Sequence, residues 1–223
     1  MGKRRWVDGL VGDERKASTA GSTKEKRQGS PYFKVQIARR LDVTRNLLAA
    51  HPLDGPTLVA AVQGAWKSIF ESSLGGFKIG VDIFPVPQTM GFFLHELIPL
   101  RIAATHSGWR REIGGTEKDL VFIPNEKYSI EIKTSSDRTN IYGNRSFGLE
   151  SPGKGKKAKD GFYLTVNFQK WSEVSEKDQP SVSRIRFGWL DHTDWMAQNA
   201  QSGQNSTLPA DVYNTQLLTL FKR

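Results

Sequence analysis

The residues best able to do chemistry lie between positions 119 and 133. The run Asp119-Leu-Val-Phe-Ile-Pro-Asn-Glu-Lys-Tyr-Ser-Ile-Glu131-Ile-Lys133 carries a turn signal, Pro124-Asn125-Glu126-Lys127, between two short apolar stretches. That pattern predicts a β-hairpin. Alternate side chains of a strand share a face, so Leu120 and Phe122 stand with Tyr128, Ile130 and Ile132 on a core face. Asp119 and Val121 then share the opposite face with Ser129, Glu131 and Lys133. With a three-residue loop, antiparallel pairing sets Asp119 beside Glu131 or Lys133. Two carboxylates and an ammonium meeting at one spot offer oxygen ligands to a hard cation such as Mg²⁺. On the hairpin alone, an ordinary solvated sheet face competes with that reading.

Asp119 followed by Glu131-Ile132-Lys133 resembles the PD-(D/E)xK nuclease signature, with Lys118 where a proline usually precedes the first acid. The longer string Glu131-Ile-Lys-Thr-Ser-Ser136, with Ile141-Tyr-Gly-Asn-Arg-Ser-Phe147 soon after, resembles type II restriction endonucleases of the ScaI type. The likeness is carried by roughly residues 109–150; elsewhere it extends only to length and element order. It implies an α/β fold with a restriction-endonuclease-like core, in which a mixed central β-sheet of at least four strands is flanked by helices. It implies that Asp119 and Glu131 bind one or two Mg²⁺ ions per active site, with the backbone carbonyl of Ile132 as a further ligand. Lys133 would orient or activate the attacking water and stabilise charge growing on phosphorus. In such nucleases a glutamate from a preceding helix often joins the metals, which makes Glu96 a candidate beside its plainer reading as a polar helix edge. His95 reads as a core histidine or a helper rather than a ligand.

The same resemblance implies hydrolysis of double-stranded DNA at a specific palindromic site, leaving 5′-phosphates and 3′-hydroxyls, by a symmetric homodimer with one active site per strand. A six-base-pair target cut to blunt ends is implied, as is a cognate DNA methyltransferase in the same system that is not a bound partner. Two rivals stand beside this: a nuclease of the same fold serving repair or transposition, and a non-catalytic DNA-binding protein.

The elements that must position these residues are legible on both sides of the hairpin. The chain has 223 residues, enough for one sizeable domain with an arm. Residues 1–30, opened by Lys3-Arg4-Arg5 and rich in Gly, Ser, Thr and Lys, read as a flexible basic arm, and residues 31–223 as a single nuclease domain. Helical spacing spans residues 32–50, with Phe33, Ile37, Leu41 and Leu48 on one side. A second helix starts at Asp54 as its N-cap, with Pro56 in its first turn, and stops by Gly75-Gly76. Trp66 within it reads as a core aromatic. Residues 77–86 suggest a strand, and residues 90–106 a third, largely apolar helix carrying His95-Glu96 and Pro99. Residues 108–116 read as a loop whose Arg110 and Arg111 could hold a phosphate. Residues 162–168 form a near-continuous apolar strand, buried on both faces, and residues 184–190 another. Asp191-His192-Thr193-Asp194 reads as a capping turn rather than a metal cluster. Residues 208–221 close the chain as a strand or a helix.

DNA contact is expected from two stretches. Ser135, Ser136, Arg138, Thr139, Asn140, Asn144 and Arg145 follow the catalytic strand and suit base edges or phosphates. Lys154, Lys156 and Lys157 form a basic loop suited to phosphates. A formal charge of +9 and a pI near 9.8 agree with an anionic partner. Zero cysteines exclude disulfides and thiolate metal sites. No stretch is apolar and long enough to span a bilayer, and no secretory signal opens the chain, so membrane association is not expected and a prokaryotic cytoplasm is.

Overall fold

The computed structural model describes residues 26–144, 159–175, 177–197 and 205–223. In chain order its elements are α1 (Ile37–Ala49), α2 (Gly55–Glu71), β1 (Ser73–Leu74), β2 (Phe77–Lys78), α3 (Pro87–Thr105), β3 (Trp109–Arg111), β4 (Leu120–Phe122), β5 (Ile130–Ser135), β6 (Tyr142–Asn144), β7 (Gly161–Phe168), β8 (Val182–Leu190), β9 (Met196–Ala197), β10 (Asn205–Thr207), α4 (Ala210–Thr215) and β11 (Leu217–Lys222).

Among the described residues, β11-β8-β7-β5-β4-β3 form a six-stranded sheet. It is mixed: β5 and β7 run parallel, and the other neighbours are antiparallel. Every residue of β7 is buried, as its unbroken apolar run predicts for a strand covered on both faces. On one face Leu120, Ile130, Ile132, Phe162, Leu164, Val166, Ile185 and Phe187 pack with Leu58, Val62, Ile69, Leu94, Ile98 and Ile102 of α2 and α3. Alternation sends Tyr163 to the opposite face, where it joins Ile141, Leu190, Trp195, Leu208, Val212 and Leu217 in a second cluster. A small sheet of order β6-β10-β9 belongs to this second layer.

Helix α2 begins as expected. Asp54 Oδ1 accepts the Thr57 N–H at 2.9 Å, and Pro56 lies in the first turn. Trp66 is buried in the core and donates its indole N–H to the Pro180 carbonyl at 2.9 Å. Helix α3 contains Pro99 without interruption. Helix α1 differs from its apolar spacing: Ile37 is 46% exposed, and the buried residues are Arg40 and Thr44. The helix docks through polar contacts, with Thr44 Oγ1 2.8 Å from the Tyr32 hydroxyl and donating to the Thr215 carbonyl.

Residues 108–116, read as a loop, contain the edge strand β3, which pairs Trp109 with Phe122 and Arg111 with Leu120. Residues 77–86 contain only β2, in a hairpin with β1. The chain end is both helix and strand, α4 then β11. Lys26, within the stretch read as an arm, is buried, and its ammonium contacts Asp191 Oδ2 at 2.8 Å, Asp194 Oδ1, and Gln216 Oε1 at 3.2 Å. Asp191 and Asp194 therefore form a capped turn, His192–Asp194, that receives a lysine. Residues 1–25 lie outside the described residues. Among the described residues, no helix is long and apolar enough to cross a membrane.

Candidate active site

The site is built where β4 enters the sheet beside β5. Leu120 pairs with Ile130, which sets Asp119 opposite Glu131. This is the register that the alternation predicts, reached by a different connection: residues 123–129 contain a 3-10 turn, Glu126–Tyr128, rather than a three-residue loop. Burial of Ile130 and Ile132 fixes the parity of β5 and so sends Glu131 and Lys133 to the other face.

Asp119 Oδ2 accepts the backbone N–H of Ile132 at 2.6 Å, so the carboxylate continues the β4–β5 ladder where β4 ends. Glu131 is 3% exposed, and its Oε1 accepts from the Lys133 ammonium at 2.7 Å. An ammonium held this close to a buried carboxylate offsets the cost of keeping that charge out of water. Tyr163 stands beside Glu131 in the β5–β7 register and is fully buried. Burial, and then the charge of Glu131, push its hydroxyl well above the usual phenol range. The Lys118 ammonium lies 4.9 Å from the centre of the Tyr163 ring, so the residue in the usual proline position is a buried cation one step before Asp119.

Helix α3 covers β5 at Gly91. A Cβ built there would lie 2.8 Å from Thr134 Oγ1, so any larger residue would force Thr134 to shift. One turn further along α3, His95 Nδ1 is 3.7 Å from Asp119 Oδ2. Glu96 instead pairs with Arg111, Nη1 to Oε2 2.9 Å, at a half-exposed position. The structure thus brings His95 to the acid, while Glu96 is paired with Arg111 of the neighbouring edge strand β3. Arg110 makes a two-pronged pair with Glu117, at 2.8 and 2.5 Å, and holds that carboxyl down to about 2.

A cleft of about 750 Å³ opens beside the site, between α3 and the C-terminal end of β5. Gln88, Phe92, His95, Ser136, Tyr142 and Lys170 are among its lining residues. Phe92 is 59% exposed at its rim, a position sequence patterning assigns to an apolar helix face. The expected contact residues diverge in placement. Arg138, Thr139, Asn140 and Asn144 are exposed, Ser136 is half-buried, and Ser135 is buried with its hydroxyl accepting the Asp137 N–H at 3.1 Å. Arg145, Lys154, Lys156 and Lys157 lie outside the described residues.

The donor set suits a hard divalent ion. Asp119 and Glu131 offer carboxylate oxygens, and among the described residues no group of three or more His, Cys, Asp or Glu gathers around one point. Two carboxylates leave most of a coordination shell to carbonyl, water and phosphate oxygens, as Mg²⁺ favours.

A family described as ScaI restriction endonuclease matches residues 30–221. The chain is 54% identical over 219 residues to a protein of Streptomyces caespitosus named type II restriction enzyme ScaI, covering 97% of this chain and 94% of that protein. No solved structure is a significant match. Type II restriction endonucleases generally use divalent metal ions, in keeping with the oxygen donors here. With a match spanning nearly all of both chains, the chain belongs to the ScaI restriction endonuclease family and is a type II restriction endonuclease, a site-specific deoxyribonuclease.

Proposed function

We propose that the enzyme hydrolyses phosphodiester bonds of double-stranded DNA at a palindromic site, as a homodimer, with Asp119, Glu131 and Lys133 as its catalytic residues and Mg²⁺ as its metal. The observation that carries this is the convergence at the start of β5: Asp119 on the Ile132 N–H, and Lys133 on Glu131. Asp119, Glu131 and the Ile132 carbonyl would hold one or two ions. Bound there, Mg²⁺ supplies neutralisation of the phosphate charge and acidifies the attacking water.

The chain's own residues supply the rest. The Ile132 N–H fixes the direction of the Asp119 carboxylate before DNA arrives, which lowers the cost of assembling the site. Lys133 brings a compact cation, anchored on Glu131, to orient the attacking water and to offset charge gathering on the phosphoryl oxygens. His95 flanks Asp119 from α3 and keeps it from turning away. Glu96, tied to Arg111, reaches the metals only after exchanging that partner, and a half-exposed pair of this kind is weak enough to exchange.

Arg138, Thr139, Asn140 and Asn144 are exposed and Ser136 lines the cleft, which supports a role for them in reading bases, while buried Ser135 serves the turn behind them. By their chemistry Arg145 would add to base reading, Lys154, Lys156 and Lys157 to phosphate contacts, and the basic N-terminal stretch, residues 1–30, to DNA affinity. The test is digestion of a sequenced plasmid by the full chain with and without Mg²⁺, followed by mapping of the ends. Cleavage at one recurring palindrome, only with the divalent ion and leaving 5′-phosphates, is expected. Metal-independent cleavage, or ends scattered over the plasmid, would contradict the reading.

A further inference from the structure

Arg186 lies on the same face of the sheet as the catalytic lysine. The register aligns Lys133 with Thr165, and Thr165 with Arg186, so the three side chains stand in one row across β5, β7 and β8. Arg186 is 4% exposed. Burial, and then the like charge of Arg184, bring its guanidinium down to about 10. A buried cation is costly unless its donors are used.

Both of its neighbours pass the contact on. Nη1 of Arg186 donates to Asn167 Oδ1 at 3.0 Å, and the guanidinium carbon sits 4.9 Å from the centre of the Tyr213 ring. Asn167 is fully buried, and its Nδ2 donates to the carbonyls of Asp137 at 2.8 Å and Asn140 at 3.1 Å. The Tyr213 hydroxyl, from α4, accepts the Ile141 N–H at 2.7 Å and donates to the Ile141 carbonyl at 3.4 Å. Each contact to the loop is to its backbone. They therefore fix where the loop stands whatever side chains it carries. The loop closes on itself through Asp137, whose carboxylate accepts the N–H groups of Thr139 at 2.8 Å and Asn140 at 2.7 Å, and the Tyr142 hydroxyl at 3.1 Å. Asn167 is aligned with Ser135, two residues beyond Lys133, so sheet and loop are joined close to the chemistry.

We propose that Arg186, acting through Asn167 and Tyr213, is the positioning residue that holds the loop of residues 137–141 at a fixed offset from Lys133, and thereby sets discrimination between the cognate site and near-cognate sites. The inference rests on the reading that this loop contacts bases. Arg186, Asn167 and Tyr213 themselves touch loop backbone, not DNA. A loop freed from these clamps can still meet DNA, but it meets right and wrong bases with nearly equal success. A misplaced readout group loses the bidentate geometry on which discrimination depends.

The test uses Tyr213→Phe, which keeps the ring under Arg186 and removes only the hydroxyl, and Asn167→Asp, which keeps the acceptor for Arg186 and removes the donor to the two carbonyls. Arg186→Met and Arg186→Lys form a loss-and-rescue pair. Single-turnover rates are measured on a cognate duplex and on duplexes with one base pair changed, alongside melting temperature and the salt dependence of binding to unrelated DNA. The expected result is a fall of roughly tenfold in the cognate to near-cognate rate ratio for Tyr213→Phe and Asn167→Asp. The salt slope should be nearly unchanged, the melting temperature should fall by only a few degrees, as expected for one buried hydrogen bond lost, and Arg186→Lys should recover part of what Arg186→Met loses. An unchanged ratio would overturn the proposal, as would rates that fall equally on every duplex together with melting temperature. Arg138→Ala and Asn140→Ala test the underlying reading separately. If they leave the ratio intact while Tyr213→Phe lowers it, the loop positions other readers and the assignment of those two side chains fails.

Discussion

Asp119 has two tasks that call for different replacements. Its carboxylate is a candidate metal ligand, and it also satisfies the N–H of Ile132, a residue with no exposed surface. A buried donor left without an acceptor costs about 1–3 kcal/mol. Asp119→Ala should therefore abolish cleavage and also lower the unfolding free energy by about that amount. Asp119→Asn retains an acceptor oxygen and loses the charge, so it should be equally inactive at nearly wild-type stability. Urea unfolding and a plasmid cleavage assay on both variants check this; an Asp119→Asn enzyme that cuts at close to the wild-type rate removes Asp119 from the metal site. The spacing of Asp119, Glu131 and Lys133 was enough to place all three on one face, because a strand of period two leaves little freedom. The link from Asp119 to Ile132 was not legible, since it depends on where the ladder of β4 gives out. Nor was the approach of His95 in place of Glu96, because neighbouring residues on a helix point about 100° apart and the axial rotation of α3 is set by its packing.

At the scale of elements, His51 joins the start of α2 to the β4–β5 connection, next to the pairing that sets Asp119 opposite Glu131. Its Nδ1 accepts the Leu53 N–H at 3.1 Å, which leaves Nε2 to donate to the Tyr128 carbonyl at 3.0 Å. Rings of Trp109, Tyr128, Phe162 and Phe187 surround it. Burial pushes its pKa below the ordinary value, against smaller opposing effects of the two backbone contacts. The folded state thus binds fewer protons than the unfolded state once the pH drops below about 6.5. The stability His51 contributes is fully present above that pH and is lost as the pH falls toward its folded value, with a limiting slope of about 1.4 kcal/mol per pH unit. Urea unfolding at pH 7.5 and at pH 5 should show a larger loss of stability for the wild type than for His51→Gln; equal losses would exclude His51 as the source. Element identity was readable where one signal dominated: the Asp54 cap, the unbroken apolar run of β7, and the Asp191 turn. It failed where signals were mixed. Trp109–Arg111 is three residues with two arginines, too short and polar to stand out as an edge strand. Helix α1 fully buries only Arg40 and Thr44, while Leu48 of its apolar face packs against the core part-buried and Ile37 stays exposed, so its spacing marked the right face but not how deeply that face is buried. Polar residues inside the apolar runs, Asn167 in β7 and Arg186 in β8, were the available sign of a buried network, but their partners lie on α4 and in the loop after β5.

For the whole molecule, the sheet explains how Asp119, Glu131 and Lys133 are held together on one face. Two apolar clusters, one on each face, hold β5 and β7 in register, and Glu131 stands beside Tyr163 at the edge of the second cluster. Lys26, the first described residue, is held by Asp191 and Asp194. The excess of positive charge, +9 over the chain, should make DNA affinity strongly salt-dependent while leaving sequence choice to the loop and cleft near β5. The chemistry proposed at the start of β5 is tested most directly by single-turnover cleavage of a cognate duplex by Lys133→Ala beside the wild type, with binding of the same duplex measured in Ca²⁺. Loss of a positioned proton-handling cation predicts a rate lower by roughly 10²–10⁴-fold, with affinity changed far less and Lys133→Arg also poor, since a planar guanidinium does not replace a compact ammonium. A Lys133→Ala enzyme that cleaves within a few-fold of the wild type would place the catalytic centre elsewhere.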